Sequence, residues 1–287
     1  MQALYEQYKG LLFTLSYQLT GSASDAEDVV QDVFLKAHDL DWERLKEPKA
    51  YLCRMATNRC RDLLKSARRR REQYVGEWLP EPVHTPKEDT ALELVVQNDL
   101  LSYAMLVMLE RLSPAERAVF VLREGLGLEY AELAEILEKS EVNCRKVFSR
   151  AKGKMGLVGE GALHREAESE YWVRKLLSAL GNGQVNEVVA LLAEDVTLIS
   201  DGGGKVLAAV RPIRTRASVV SFLFGLANKA PRDGNPVHID IRSINGQTGV
   251  ILRSDEGIDT AVLLHVEGDA IRSIYLVRNP DKLKHLS

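Results

Sequence analysis

Three consecutive glycines, Gly202, Gly203 and Gly204, lie between Asp201 and Lys205. Glycines followed by a lysine can cradle a phosphate, because bare backbone N–H groups and one ammonium all favour an anion. The spacing does not fit that chemistry. A phosphate loop needs four residues between its first glycine and the Gly-Lys pair, then a Ser or Thr for the metal. Here the glycines are contiguous and Val206 follows the lysine, with no helical pattern behind it. The alternatives are a plain turn after the apolar stretch Val196–Ile199, or a loop that lets another backbone come close.

The other chemistry-bearing residues are polar rather than catalytic. Asn58, Arg59, Arg61 and Lys65 recur on one face of a helical pattern that ends in Arg68, Arg69, Arg70 and Arg71. Amide and guanidinium groups on one face suit phosphates and unpaired bases. Asn143, Arg145, Lys146, Ser149 and Arg150 lie outside a second helical stripe. There Asn can read adenine, and Arg or Lys can read guanine. Asp25, Glu27, Asp28, Gln31 and Asp32 form an opposite kind of face. Carboxylates repel phosphates, so this face fits either solvent or a basic protein partner. His238 and His265 sit alone in strand patterns and Asp201 is placed at a loop rim, so no acid–base pair for an enzyme is expected.

Bulk properties agree. The 287 residues carry a formal charge of -3, so nucleic-acid contact must come from local clusters. Cys53, Cys60 and Cys144 are the three cysteines. A helical span separates the first two by about 10 Å, too far for a disulfide, which predicts reduced thiols and a cytoplasmic protein. No metal ligand spacing, cofactor motif or membrane-length apolar run is present.

The elements that must position these residues fall into blocks. Residues 1–71 read as helices, with Ser24 and Glu27 spaced as a capping box ahead of the stripe Ala26, Val29, Val30, Val33, Phe34 and Ala37. Residues 72–91 read as a proline-bearing linker in which Trp78 and Leu79 are too apolar for a solvated spacer. Residues 92–160 return to helix. Ser113-Pro114-Ala115-Glu116 opens one helix, and "YAELAEILEKS" turns at Lys139-Ser140 into "EVNCRKVFSRAKGKM", a helix-turn-helix pattern. Residues 166–287 place helices ahead of short strands separated by Asn245-Gly246, Glu256-Gly257 and Gly268-Asp269, which predicts an α+β domain with an antiparallel sheet.

The stretches "AEDVVQDVFLKA", "YLCRMATNRCRDLLKSARRR" and "LSPAERAVFVLRE", with the helix-turn-helix that follows, resemble in order the RNA polymerase sigma factors of the extracytoplasmic-function group. "WLPEP", "DGGGK" and "NPDKL" resemble marks of its subgroup with a fused SnoaL-like tail of the NTF2 superfold. Tyr51 stands where many members have tryptophan, and Val142 where many have glycine. The resemblance implies two all-α sigma domains and a cone-shaped α+β tail. It implies core RNA polymerase, through its clamp helices and flap, and promoter DNA as partners, with the clamp helices meeting Asp25, Glu27, Asp28, Gln31 and Asp32. It assigns Asn58, Arg59, Arg61, Lys65, Arg68 and Arg69 to the -10 element and Asn143, Arg145, Lys146, Ser149 and Arg150 to the -35 element. It leaves room for an unknown small ligand in the tail. Trp78, Leu79 and Pro80, Asp201 to Lys205, and Asn279, Pro280, Asp281, Lys282 and Leu283 are expected to form one regulatory interface. The competing expectations are a ligand-sensing one-component regulator, for which the acidic helix has no task, and an enzyme with a DNA-binding appendage.

Overall fold

Gly21 takes φ 71° and stops the first helix, α1 (Gln2–Thr20), so the chain re-enters helix at once as α2 (Ala23–Ala37). The cap of α2 is Ser22, whose hydroxyl accepts the Asp25 N–H, and not the expected Ser24. The left-handed glycine sets the restart two residues earlier than the Ser24/Glu27 spacing implies. The computed structural model describes residues 2–38, 47–72, 74–85, 102–155, 166–229, 237–255 and 257–286. Glu256 of one expected turn, and parts of the expected 72–91 linker and 92–160 domain, lie outside them.

The chain divides into two compact units: Met1–Glu72 with Pro86–Leu157, and Gln73–Thr85 with Val158–Ser287. In the first, α1, α2 and α3 (Pro48–Glu72) pack on Leu12, Leu15, Leu19, Val29, Val33, Leu52, Ala56 and Cys60, all buried. Burying each of the larger side chains contributes about 1.5–3 kcal/mol. Helix α4 (Tyr103–Leu109) is followed by α5 (Pro114–Phe120), which opens on the expected capping box. Glu116 accepts from the Ser113 N–H and hydroxyl at 2.9 and 2.8 Å and from Lys154 Nζ at 2.7 Å. These donors, Lys154 first, hold its carboxyl down to about 2. A π-helical turn, Val121–Gly125, leads to α6 (Tyr130–Leu137) and α7 (Glu141–Met155).

Arg117 of α5 is buried and joins these helices to α1. Its Nε donates to the Gln18 carbonyl at 2.6 Å and its Nη1 to Glu110 at 2.5 Å. Nearby polarity is less well satisfied. Among the described residues, the side chains of Thr14, Gln18 and Thr57 and the Nη2 of Arg117 are buried without a hydrogen-bond partner. Each such group costs about 1–3 kcal/mol.

The second unit is built on one sheet of order β2-β1-β6-β5-β4-β3. Its strands are β1 (Leu192–Asp201), β2 (Ile213–Arg214), β3 (His238–Ile244), β4 (Gln247–Ser254), β5 (Gly257–Glu267) and β6 (Ala270–Val277). Strands β3 to β6 form the expected antiparallel meander, but β1 pairs parallel to β6, from Leu192↔Ile271 to Asp201↔Val277. The long crossover between them permits that pairing. Helices α8 (Glu166–Gly181), α9 (Val185–Leu191) and α10 (Arg216–Lys229) cover a core of Val173, Leu176, Val188, Val219, Leu223, Ile274 and their neighbours.

The buried Gln18 amide has no hydrogen-bond partner among the described residues, so replacing it with an apolar group of similar shape removes a desolvation cost. Gln18→Met is therefore expected to stabilise the first unit by about 1 kcal/mol, read as a higher urea midpoint for its transition in the full chain. A lowered midpoint shows that the amide is satisfied.

Candidate functional site

The helix-turn-helix is set by one backbone reversal. Helix α6 ends at Glu138, which takes the left-handed φ of 54°, while the Lys139 N–H closes back on the Ala134 carbonyl at 3.0 Å. Ser140 then starts α7, accepting the Asn143 N–H on its hydroxyl at 3.3 Å. Cys144, Ala151 and Met155 turn inward, and Phe148 is half-buried. Burial pushes the Cys144 thiol up, and all three cysteines are free and buried. Asn143, Arg145, Lys146, Ser149 and Arg150 are all exposed together on the outer face. Arg145 Nη2 lies 3.3 Å from Glu141, and its guanidinium sits 4.2 Å from the centroid of the Tyr130 ring.

The acidic and basic faces of the first helices meet. Glu27, Asp28 and Gln31 are exposed, and Asp25 and Asp32 half-buried. Arg59 donates Nε to Asp32 at 2.7 Å, joining α2 to α3. Two residues expected to serve different partners thus hold each other. Arg61 reaches Asn58 at 3.4 Å and Lys65 reaches Asp62 at 2.9 Å. Both belong to the helix itself, so their cost of release is small. The side chains of Arg68 and Arg69 lie outside the described residues.

In the second unit, the three odd segments converge on one carboxylate. Asp201 is the last residue of β1 and is fully buried, not at a loop rim as its glycine neighbours imply. Pairing of β1 with β6 drives it inward: its own carbonyl accepts the N–H groups of Arg278 and Asn279 at 2.8 and 2.9 Å. Its Oδ1 accepts the Tyr74 hydroxyl at 2.6 Å and the Gly203 N–H at 3.0 Å. Its Oδ2 accepts the Leu79 N–H at 2.9 Å and Lys282 Nζ at 2.7 Å. With four donors the carboxylate has little capacity left to take a substrate proton.

Lys282 is as closed in as its partner. Its ammonium also donates to the Leu79 carbonyl at 2.6 Å and lies 3.8 Å from the Trp78 ring centroid and 5.0 Å from that of Tyr74. One ammonium thereby meets an anion, a carbonyl and two ring faces. Asn279 caps the short Pro280–Lys282 turn by accepting the Asp281 N–H, and donates its amide to the Tyr74 hydroxyl at 2.9 Å. Burial and the Asp201 carboxylate raise the Tyr74 phenol, which stays a neutral donor. Lys205 pairs with Asp281 at the exposed edge and holds its carboxyl below the usual range. Leu79, Pro80 and Leu283 are buried, while Pro280 is exposed.

The glycines now have a physical task. Gly203 takes φ 61°, and a Cβ there would fall on the Asn279 side-chain amide. Gly204 takes φ 71°, and its Cβ would come within 3.2 Å of Val75. The loop is thus a close-approach surface for 74–79 and 279–282. Tyr74 and Val75 were absent from the expected site, since a lone aromatic after a basic run carries no periodic signal. A second anchor was also missed. Asn245 accepts the Val83 N–H on its side chain at 3.1 Å and donates its own N–H to the Val83 carbonyl at 3.0 Å, while Thr85 N–H donates to Ser243 at 3.2 Å.

An exposed basic helix-turn-helix beside an acidic amphipathic helix defines a promoter-recognition protein, and the comparisons agree. Residues 4–70 match Sigma-70 region 2, and residues 102–155 match Sigma-70, region 4. The chain is 33% identical over 294 residues to the ECF RNA polymerase sigma factor SigJ of Mycobacterium tuberculosis, covering 97% of this chain and 91% of that one. It is 29% identical over 194 residues to a probable ECF RNA polymerase sigma factor, SigI, of the same species, covering 67% of each. The crystal structure of SigJ superposes with a TM-score of 0.80 at 29% identity, covering 99% of both chains. The chain belongs to the extracytoplasmic-function RNA polymerase sigma factors. It is an alternative sigma factor that directs promoter-specific transcription initiation, with an α+β domain behind its two sigma regions.

Removing one partner of the Asp201–Lys282 pair leaves the other charged and buried. Lys282→Met and Asp201→Asn are each expected to lower the stability of the second unit by about 3–5 kcal/mol. The double variant is expected to cost much less than the sum. Additive losses in urea unfolding show that the pair is not coupled.

Proposed function

We propose that this sigma factor binds core RNA polymerase through Asp25, Glu27, Asp28, Gln31 and Asp32, and reads its promoter with two separate surfaces. Asn58, Arg59, Arg61, Lys65, Arg68 and Arg69 serve the -10 element. Asn143, Arg145, Lys146, Ser149 and Arg150 serve the -35 element. The clamp helices and the flap of the polymerase are the docking partners, and the protein works in the cytoplasm where the polymerase is. The observation that carries the DNA assignment is the common exposure of the five polar residues of α7 on a face whose opposite side is buried. A net charge of -3 fits a factor that holds DNA firmly only when polymerase adds its own contacts.

We assign the C-terminal domain a regulatory rather than a catalytic task. The support is the Asp201–Lys282 clasp, which holds Tyr74, Trp78 and Leu79 of the segment that follows α3. A segment between the two promoter-reading regions, once fastened to a folded domain, has lost most of its freedom. Fastening and release are then two states whose balance sets activity. Relief of that fastening, by polymerase or by an unknown small ligand of the domain, frees the linker.

Asp28→Lys combined with Asp32→Lys is expected to weaken binding to purified core polymerase while the circular-dichroism spectrum stays that of the wild type. Unchanged affinity overturns the docking assignment. Truncation before Asn279 is expected to change transcription by core polymerase several-fold, in the upward direction. Trp78→Ala and Gly203→Val are expected to act on the same step, so that neither adds its full effect to the truncation. Wild-type transcription from the truncated protein overturns the regulatory reading.

A further inference from the structure

The base-reading face of α7 includes an arginine that is oriented before any DNA is present. Arg145 stands at the start of that helix, with more than half of its side chain exposed. Two groups touch it: Glu141, one turn back, at 3.3 Å, and the ring of Tyr130, at 4.2 Å from its centroid. Tyr130 belongs to the preceding helix, α6, and is its first residue. The Glu141 pair is an exposed contact within one helix, which fixes little. A ring under a planar guanidinium does more, because stacking sets the plane of the group and leaves its N–H edges free for a two-pronged contact.

The ring itself is well supported. Phe148 of α7 meets it edge to face, with centroids 6.2 Å apart and planes at 76°. Phe148 in turn stacks on Phe120 at 6.1 Å, which ties the arrangement to the buried core. A second guanidinium, that of Arg123, lies 4.9 Å from the same ring centroid. Arg123 is anchored in the π-helical turn by donating to the Leu128 carbonyl at 2.6 Å and by pairing with Glu129 at 3.1 Å. Tyr130 is thus a half-buried ring, held by an aromatic chain, with cations on its surface and no structural need for its hydroxyl among the described contacts.

We propose that Tyr130 is a positioning residue for -35 recognition: its ring holds the Arg145 guanidinium in the plane that a guanine edge requires. The ring lowers the ordering cost that an unrestrained arginine meets on binding. This inference rests on Arg145 reading a base, and it adds that the sharpness of the reading is set from the neighbouring helix. The value of an exposed cation–π contact corresponds to about two- to fivefold in discrimination.

The test uses the full-length protein with core polymerase on a promoter library randomised across the -35 element. Arg145→Ala identifies the positions that Arg145 reads. Tyr130→Leu is expected to relax preference at those same positions by about two- to fivefold. Tyr130→Phe, which keeps the ring, is expected to retain the preference. In an Arg145→Ala background, Tyr130→Leu is expected to change the preference no further. A uniform loss across the library from Tyr130→Leu, with the Arg145 positions as sharp as before, overturns the proposal. If Arg145→Ala itself shifts no position, the base-reading assignment fails first, and the positioning role falls with it. Should Tyr130→Leu melt without a cooperative transition, nuclear magnetic resonance of the wild-type protein decides. Arg145 side-chain protons that are shifted by the ring current, and keep that shift in variants distant from Arg145 and Tyr130, support stacking; unshifted protons overturn it.

Discussion

One buried ion pair organises the whole second unit. Asp201 and Lys282 lie 81 residues apart in sequence, and both are buried. Such a pair is costly to bury and survives only if every remaining lone pair and proton finds a partner. The partners found here are the Tyr74 hydroxyl, both backbone groups of Leu79, the Gly203 N–H and the Trp78 ring. The linker segment is therefore part of what makes the pair tolerable. Without residues 74–79, the carboxylate would lose the Tyr74 and Leu79 donors and the ammonium the Leu79 carbonyl. The fold of the domain and the capture of the linker are two aspects of one electrostatic requirement.

That requirement ties residues 74–79 to the C-terminal domain. Only Gln73 separates the end of α3 from the captured segment. Two anchors then hold residues 74–85, one at Asp201 and one at Asn245, whose left-handed φ of 53° presents both its side chain and its N–H to Val83. The two anchors differ in chemistry, one an ion pair and the other an amide with backbone bonds. The exposed polar faces of α2, α3 and α7 in the first unit show a comparable economy. Arg59 and Asp32 neutralise each other, and Arg145 rests on Tyr130 and Glu141, so both faces carry charges already held by weak, exchangeable contacts.

Most of the helices were legible because their apolar periodicity matches burial directly, as in Val29, Val30, Val33 and Phe34 of α2. The capping box at Ser113 and Glu116 was legible for the same local reason. The Ser24/Glu27 box failed because a left-handed glycine upstream moved the helix start, a constraint no spacing rule contains. The parallel pairing of β1 with β6 was hidden, since a strand's own alternation says nothing of its neighbour. The odd segments around Trp78, Asp201 and Asn279 were recognisable as odd, yet the pairing of Asp201 with Lys282 required the tertiary fold. Tyr74 and Tyr130 gave no signal and Asn245 only that of a turn, because their contacts are made by the tertiary fold.

The most direct test of the account is amide hydrogen exchange across residues 74–85 of the full-length protein. The Leu79 N–H has a side-chain carboxylate as its acceptor, outside any helix or regular strand. If the clasp holds the linker as described, that amide exchanges slowly, and its protection rises and falls with that of the β1 and β6 amides flanking Asp201. Exchange of the Leu79 amide at the rate of an unstructured peptide, while β1 and β6 remain protected, would contradict the account.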